Sequence, residues 1–239
     1  MGHTTPGFST APEVEALEAL DGQGWRGAYF VMEGLRNGSE HPDLEILKVD
    51  AAQEARERFA PDTLREDPVL EGFRALHRAV GRANRKTVSS PENLLRLVLR
   101  SGALPRVNLL VDIYNLVSIQ SRLALGAHDL AGVEGDIRLR LTDGTEGFHP
   151  LGEGAPKPVA PGEYAYVDDA NDVLCRMEVR QVEKSKVGLD TRACFYIVQG
   201  NGATPWEAVR AAAEETIALT QRFCGGKVRW LHAPWPESS

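Results

Sequence analysis

Apolar residues recur with the period of an α-helix between residues 108 and 124. One wall of this predicted helix carries Leu110 and Ile113, and the opposite wall carries short polar side chains. Val111 and Tyr114 lie among those polar residues, so both walls contain apolar groups. A helix of this kind is covered on both sides, and we therefore expect the rest of the chain to pack around it.

The polar wall of this helix contains Asn108, Asp112 and Asn115, which are residue types that form helices poorly. If the helix is buried, these side chains need hydrogen-bond partners. Two interpretations are open. The residues either form an internal network that ties the helix to nearby loops, or they face a ligand cleft.

The pattern outside the central helix changes from helical to β along the chain. Helical periodicity dominates the first half, whereas short alternating or apolar segments predict strands in the second half. Gly126 to Asp129 is predicted to be a loop, and Ala193 to Val198 a central strand. The predicted helices cover residues 13–20, 44–59, 67–81, 92–100 and 204–223, and the predicted strands cover residues 25–35, 136–142, 163–167, 173–180 and 193–198.

Length and composition favour one soluble globular domain over residues 1–239, with loose segments at 1–12 and 233–239. Hydrophobic residues make up 42% of the chain, and no apolar run approaches the ~18 residues that cross a bilayer. No signal peptide is visible, so we expect no membrane association and a cytoplasmic location. The three cysteines are widely spaced and predict neither a disulfide framework nor a metal pair.

Familiar catalytic and cofactor motifs are missing from the sequence. It has no glycine-rich phosphate loop and no nucleophile elbow, and its six histidines lack metal-ligand spacing. We therefore predict no cofactor and no resident metal. The acidic run Asp168 to Asp172 has ligands for a hard cation, although it is more typical of a solvated hairpin turn.

A group of charged and hydroxyl residues follows the acidic run. Arg176, Glu178 and Arg180 share one face of a predicted strand, and further donors lie in the next loop. The group is either a set of paired charges on an exposed sheet or a set of donors for a carboxylate, a carbonyl or a phosphate. The candidate donors are Lys186, Ser185, Arg176 and Thr191.

A basic group precedes the central helix. Arg82, Arg85 and Lys86 lie in a short polar loop of a chain whose net charge is −7. These residues either belong to solvated helix faces or contact phosphates. The net charge argues mildly against a surface coated in basic residues for nucleic acid, but it is compatible with a local basic face.

The central helix also carries a family resemblance. Val-Asp-Ile-Tyr-Asn-Leu-Val-Ser at residues 111–118 resembles the B3/B4 domain of the phenylalanyl-tRNA synthetase β-subunit, and more closely the free-standing proteins built from that domain. The resemblance covers roughly residues 65 to 200. It includes the segments Gly135 to Arg140, Tyr166 to Asp169, Val173 to Arg176 and Ser185-Lys186, together with Thr191.

The resemblance implies an α+β fold with a β-sandwich-like, mixed-sheet core wrapped by helices. It implies tRNA or aminoacyl-tRNA as partner, because this domain of the synthetase hydrolyses a wrongly attached amino acid from the tRNA 3′ end. Two departures matter: the editing-site histidine of the family falls on Gly126, and its glutamate falls on Lys186. We therefore do not expect the set of residues that recognises tyrosine in the family. The resemblance implies that Asn108, Asp112 and Asn115 line a substrate cleft, together with Gly126 at the position of the family's histidine.

Three hypotheses follow, and whether the protein is an enzyme stays open among them. In the first, the protein binds aminoacyl-tRNA through Arg82, Arg85 and Lys86 and hydrolyses a mischarged ester in trans. A positioned water and the candidate donors would act on the ester, and His128 would assist proton transfer. In the second, a tRNA- or amino-acid-binding module has the same scaffold without turnover. In the third, a small-molecule enzyme or sensor has lost tRNA recognition. None of the three requires an obligate protein partner.

Overall fold

Two β-sheets with flanking helices form the α+β fold that the sequence predicts. The computed structural model describes residues 24–82 and 87–235, together with the backbone of Phe8–Ser9. The α-helices in these residues are α1 (Pro42–Arg58), α2 (Pro68–Ala79), α3 (Ser90–Ser101), α4 (Leu109–Ser121) and α5 (Trp206–Cys224). The strands are β1 (Phe8–Ser9), β2 (Arg26–Glu33), β3 (Ala124–Asp129), β4 (Ile137–Leu141), β5 (Tyr164–Val167), β6 (Val173–Arg176), β7 (Arg180–Gln181), β8 (Ala193–Gly200) and β9 (Lys227–His232).

The first sheet has the strand order β1-β4-β5-β6-β7. Its strands pair antiparallel except for β1, which is parallel to β4 and makes the sheet mixed. Side chains alternate between the two faces, so Tyr164 and Tyr166 enter the main core while Ala165 and Val167 face the other way. A small apolar cluster covers that second face, and it consists of Phe148, Val159, Ala165, Val167, Val173 and Val182.

The second sheet is antiparallel and has the strand order β3-β8-β2-β9. Strand β8 lies in its interior, which confirms the prediction from its apolar sequence. Tyr29 of β2 and Phe195 of β8 pack against Tyr166 of β5, and the hydroxyls of Tyr29 and Tyr166 lie 3.0 Å apart. These aromatic contacts join the two sheets into one core.

Helix α4 lies at the centre of the helical layer, as its two-walled pattern predicts. It packs against α1, α5 and β3, and α5 in turn covers β2 and β8. Its side chains are buried on both walls, including Asp112, Asn115 and Ser118 on the polar one. The prediction that this helix organises the fold is confirmed.

Several predicted elements differ from the structure. Residues 126–129 belong to β3 because their backbone groups pair with β8, although glycine and aspartate favour turns. The predicted strand over 173–180 is broken after Arg176, where Met177 and Glu178 take positive φ angles. Strand β9 was not predicted, since its short mixed sequence lacks a clear period.

The predicted helix over residues 13–20 lies outside the described residues, as do most residues of the two predicted loose segments. Within those segments, Phe8 and Ser9 pair with β4. The ring of Trp235 packs on that of Trp230 with centroids 5.4 Å apart.

Candidate functional site

A cavity of about 320 Å³ lies between helices α3 and α4 on one side and strands of both sheets on the other. Pockets for small ligands are ordinarily at least ~300 Å³, mostly apolar, and supplied with a few polar groups. This cavity has that character. Its apolar wall consists of Leu94, Leu97, Ala124, Leu125, Val179 and Ile197.

The start of α4 is fixed by two of the residues predicted to line a cleft. Asn108 is the N-cap: its side chain accepts from the Val111 N–H at 3.1 Å and donates to the Val187 carbonyl at 3.2 Å. Asp112 is buried, and its carboxylate accepts from Lys48 Nζ at 2.6 Å and from the Val107 N–H at 2.9 Å. The structure thus places both residues in the internal network that braces the helix, away from the cavity.

Asn115 and its neighbour Tyr114 form the polar part of the α4 wall. Asn115 is 9% exposed and Tyr114 is 7% exposed. Neither the amide of Asn115 nor the hydroxyl of Tyr114 has a hydrogen-bond partner among the described residues. Because buried polar groups ordinarily have partners, these two groups are available to a ligand.

Gly126 lies in β3 and is among the residues that line the cavity. A Cβ atom at this position would come 2.6 Å from Nε2 of Gln181. The glutamine side chain therefore occupies the space that glycine leaves. Gln181 also lines the cavity, so an amide group stands beside Gly126.

Glu178 is a residue of the cavity wall, and its carboxylate is buried. Nε2 of His77 lies 2.6 Å from Oε1. The Tyr164 hydroxyl and Gln199 Nε2 donate to Oε2 at 2.6 Å and 3.0 Å, and Gln199 in turn accepts from the Tyr166 hydroxyl at 2.9 Å. A carboxylate has about four acceptor positions, so the donors that the structure shows leave about one unfilled.

Glu178 reaches this position through an unusual turn. Met177 and Glu178 have φ angles of 47° and 44°, and the Val179 N–H donates to the Arg176 carbonyl at 2.9 Å. A turn with two left-handed central residues usually holds asparagine or glycine there, and each larger side chain costs on the order of 1–3 kcal/mol. The Ser90 N–H, at the start of α3, donates to the Glu178 carbonyl oxygen at 3.0 Å and holds the turn in place.

His77 and Tyr164 can donate hydrogen bonds to Glu178 because each side chain carries a proton. Burial opposes a charged His77, but the adjacent Glu178 carboxylate outweighs burial, and the pKa of His77 is raised. Burial, and then the same carboxylate, raise the pKa of the Tyr164 phenol well above its ordinary value. Both side chains therefore hold their protons to higher pH than the free side chains do, and both position the carboxylate.

The donors predicted from the sequence lie away from the cavity. Lys186 has a side chain that is 56% exposed and pairs with Glu183. Arg176 pairs with Glu163. Thr191 is buried and donates to Oδ2 of Asp129 at 2.5 Å. None of the three is among the residues that line the cavity, and each side chain instead contacts an acidic residue elsewhere.

Ser185 and His128 contact each other in the interior. Nδ1 of His128 lies 2.8 Å from Oγ of Ser185, and both residues are fully buried. Burial lowers the pKa of His128 to about 3, so the imidazole is neutral. It lies in β3 rather than in a loop, and it is not among the residues that line the cavity.

The acidic hairpin turn is closed by a lysine. Lys184 Nζ lies 2.8 Å from Asp168 Oδ2 and 2.7 Å from Asp172 Oδ2. The ammonium group therefore takes the position that a cation would occupy. No group of three metal-ligating side chains is found among the residues that the structure describes.

Of the predicted basic group, Arg82 is the residue that the structure describes. Arg82 Nε lies 2.8 Å from Oε1 of Glu163, while Arg85 and Lys86 lie outside the described residues. The chain then enters α3, whose Ser90 lines the cavity. Arg180 stands at the rim, with a side chain that is 55% exposed.

Sequence reasoning missed Gln199 and Tyr114 as lining residues and did not single out Glu178 as a candidate. Gln199 carried a usable signal, since it is a lone amide near the end of the most apolar strand. Glu178 carried none of its own, because the turn that buries it was read as strand.

Comparison with known proteins gives a family match. A family model described as the B3/4 domain matches residues 74–225, which is more than half of the chain. A solved structure with some similarity is an N-terminal fragment of the phenylalanyl-tRNA synthetase β-subunit from Pyrococcus horikoshii, with a TM-score of 0.44 and 16% sequence identity. That alignment covers 85% of this chain and 46% of the fragment, so this chain spans about half of the fragment's length. No curated protein sequence matches this chain.

None of the helices in the described residues has the length and apolar character needed to cross a membrane.

Proposed function

Because this chain belongs to the B3/4 domain family, we propose that it binds the aminoacylated 3′ end of tRNA and hydrolyses a mischarged aminoacyl ester in trans. The observation that carries the proposal is the cavity itself. It has a volume of about 320 Å³, and its lining combines apolar side chains with polar residues that include Asn115 and Glu178. The resemblance of α4 to the synthetase editing domain supports tRNA as the source of the ligand.

The proposed chemistry is a direct attack by water. The Asn115 amide and the Tyr114 hydroxyl donate to the ester carbonyl oxygen and stabilise the negative charge that develops there. Water adds to the carbonyl carbon, the bond from that carbon to the ribose oxygen breaks, and the products are a free amino acid and a tRNA 3′-terminal hydroxyl. Holding water and ester together supplies much of the rate.

A covalent enzyme intermediate is not part of the proposal. Cys175 is the cavity-lining thiol, and burial raises its pKa to about 12, so it stays protonated. Protonated thiols are poor nucleophiles.

The tRNA backbone is proposed to cross the rim at Arg180 and the basic loop with Arg82, Arg85 and Lys86. These side chains offer local positive charge in a chain of net charge −7. Binding through them would weaken steeply as salt rises, because counterions are released from the phosphates.

A second candidate function is a binding module without turnover. The observation that favours it is that Glu178, the acidic residue in the cavity wall, already accepts hydrogen bonds from His77, Tyr164 and Gln199. A carboxylate engaged in this way is a weak general base.

The test is a deacylation assay at low salt with a panel of correctly and wrongly charged tRNAs. The proposal expects selective loss of one mischarged ester and at least a tenfold slower rate (an order-of-magnitude expectation for one lost donor) in Asn115→Ala. Glu183→Gln, at a half-exposed residue outside the cavity, is the matched control and should keep the rate. Binding of charged tRNA without hydrolysis would favour the module, and absence of both would refute the proposal.

A further inference from the structure

We propose that the outer face of helix α1 is a self-association surface whose occupant is a second copy of this chain, with the two α1 helices packed antiparallel about a two-fold axis. The surface is the row Ile46, Val49, Gln53 and Arg56, named here the α1 seam. It lies outside the cavity, so this inference does not depend on the proposed function.

Apolar side chains occupy both faces of α1. Leu44 and Ala51 are buried on the inner face, whereas Ile46 and Val49 on the outer face are 61% and 63% exposed. Residues three apart are neighbours on a helix surface, so the two side chains form one patch. A helix with apolar groups on two faces is covered on both, and the described residues cover one face of α1.

The loop before α4 extends the patch. Arg106 pairs with Glu45, which directly precedes Ile46, at 3.0 Å. The next residue is Val107, which is another of the exposed large apolar side chains in the described part of the chain. Contiguous exposed apolar surface rimmed by polar residues is typical of a site of protein association.

The spacing of the α1 seam suits a second helix. Its residues are separated by three, four and three positions, which is the spacing of side chains that pack between two helices. A groove of about 470 Å³ borders the seam, and its lining includes Gly102 at the end of α3. Glycine leaves space beside α1 that side chains of another helix can enter.

The charges of α1 favour a second copy over an unrelated partner. The first turn contains Asp43 and Glu45, and the last turn contains Arg56 and Arg58. In an antiparallel pair the basic end of each helix lies against the acidic end of the other, and the helix dipoles are also opposed. A two-fold interface needs both members of each charge pair on one surface, and α1 supplies both.

The charged groups at the two ends of α1 are accessible. Arg56 has no ion-pair partner among the described residues. Asp43 pairs with Arg222 at 2.9 Å, but both side chains are half-exposed, so the carboxylate can accept from a further guanidinium. An ion pair with the second copy therefore needs no internal pair to break.

The helical period gives the register of the pair. With the two-fold axis between Val49 and Gln53, Val49 packs on the partner's Gln53, and Ile46 packs on the partner's Arg56. The methylene stem of Arg56 covers the apolar side chain while its guanidinium group reaches the acidic first turn.

The size of the surface sets the strength of the dimer. Helix α1 has 17 residues and is therefore about 25 Å long. One helix pair with its flanking loops buries less than the roughly 1,200 Å² at the lower end of stable interfaces. We therefore expect a weak dimer that forms at high protein concentration.

The first test is sedimentation equilibrium of the full chain from micromolar to millimolar concentration. The average mass should rise from one chain towards two. Val49→Asp should weaken association by at least about tenfold, because the carboxylate loses hydration at the centre of the interface. The matched control is Leu151→Asp, at an exposed leucine whose N–H donates to the Gln181 carbonyl in the first sheet, and it should associate like the wild type.

The second test exchanges charges. Arg56→Glu gives α1 two acidic ends, and Asp43→Lys adds a basic group at the other end. Each variant alone should associate at least about tenfold more weakly, because like charges then face each other. An equimolar mixture should recover association, because each acidic end again meets a basic one. Both positions are exposed, and circular dichroism checks that each variant is folded.

Three results would overturn the proposal: a single-chain mass at every concentration, a dimer that Val49→Asp leaves intact, or charge variants that associate like the wild type. A parallel pair would give the third result, since like charges face each other in it before the exchange. Hydrolysis of a mischarged tRNA should be unchanged in Val49→Asp, so the outcome of the deacylation assay is independent of this one.

Discussion

Asp112 and Glu178 are both buried carboxylates, but they are compensated differently. Asp112 pairs with the ammonium group of Lys48 and accepts from the Val107 N–H, and it is not among the residues that line the cavity. Glu178 is held by an imidazole, a phenol and an amide, sits in a left-handed turn, and faces the cavity. A carboxylate whose acceptor positions are filled by protein donors stabilises one conformation. A carboxylate with an unfilled acceptor position beside a cavity can bind a ligand.

The two sites also differ in the effect of removing one residue that interacts with the carboxylate. At the Asp112 site, loss of Lys48 leaves a negative charge in the interior without compensation. At the Glu178 site, the cavity can admit water, so loss of one partner is partly compensated. The comparison predicts that the first site matters mainly for stability and the second mainly for ligand binding.

The largest effect on stability is expected from Lys48→Met. It leaves the Asp112 carboxylate buried with one backbone donor, and breaking a buried ion pair costs about 3–5 kcal/mol. Urea unfolding monitored by circular dichroism measures the loss. The control is Glu45→Gln, which removes the more exposed partner of Lys48 and should cost less than about 1 kcal/mol. Equal losses in the two variants would show that the Asp112 pair is not the main support of α4.

The next effect depends on pH and concerns His128. Its pKa is about 3 in the folded protein, and an unfolded histidine has a pKa of about 6.5. Between these values the unfolded chain binds more protons, so its free energy of unfolding falls by about 1.4 kcal/mol per pH unit as pH is lowered. Urea unfolding at pH 7.5, 6 and 5 measures the slope. His128→Gln should lose stability less steeply over this range, and parallel slopes would contradict a neutral His128.

A smaller effect is expected from Glu178→Gln, about 1–3 kcal/mol, because the amide can still accept from Tyr164. The raised pKa of His77 gives this cost a pH dependence of the opposite sign. Its contribution is fully present below about pH 6.5 and is lost as pH rises through the folded pKa. The destabilisation should therefore be larger at pH 6 than at pH 9 in urea unfolding. A destabilisation by Glu178→Gln that is independent of pH would show that protonated His77 is not stabilised by Glu178.

The smallest effect on stability belongs to Asn115→Ala. The Asn115 amide has no hydrogen-bond partner among the described residues, so its removal should change the free energy of unfolding by less than about 0.5 kcal/mol. Ester binding or hydrolysis should nevertheless fall by tenfold or more (an order-of-magnitude expectation). A variant that loses stability and activity together would assign Asn115 to the brace of the helix, like Asp112.

The sequence predicted those features that depend on local periodicity. The two-walled pattern of α4 was enough to place it at the centre, and the apolar β8 was enough to place it inside a sheet. Asn115 and Gly126 were predicted to line a cleft, and the structure brings them to one cavity. Asp112 was also predicted to line the cleft, since the helical period places it on the same wall as Asn115. Periodicity does not reveal that Lys48, sixty-four residues earlier, reaches its carboxylate.

The features that escaped prediction depend on distant contacts. The predicted donors Lys186 and Thr191 share a loop with Ser185, but each side chain meets a different partner. Glu178 becomes a cavity residue only because the chain turns at Met177 and brings it to His77, 101 residues away in sequence. No local pattern of residue types encodes such a meeting.

The most direct test of the central claim is a crystal structure of the protein with a leucyl-adenosine analogue whose 3′-ester is replaced by a non-hydrolysable amide. The account predicts density for the leucyl group inside the cavity, with its carbonyl oxygen beside Asn115. Density at another surface, with the cavity unchanged, would contradict the claim that this cavity receives the aminoacyl end of a tRNA.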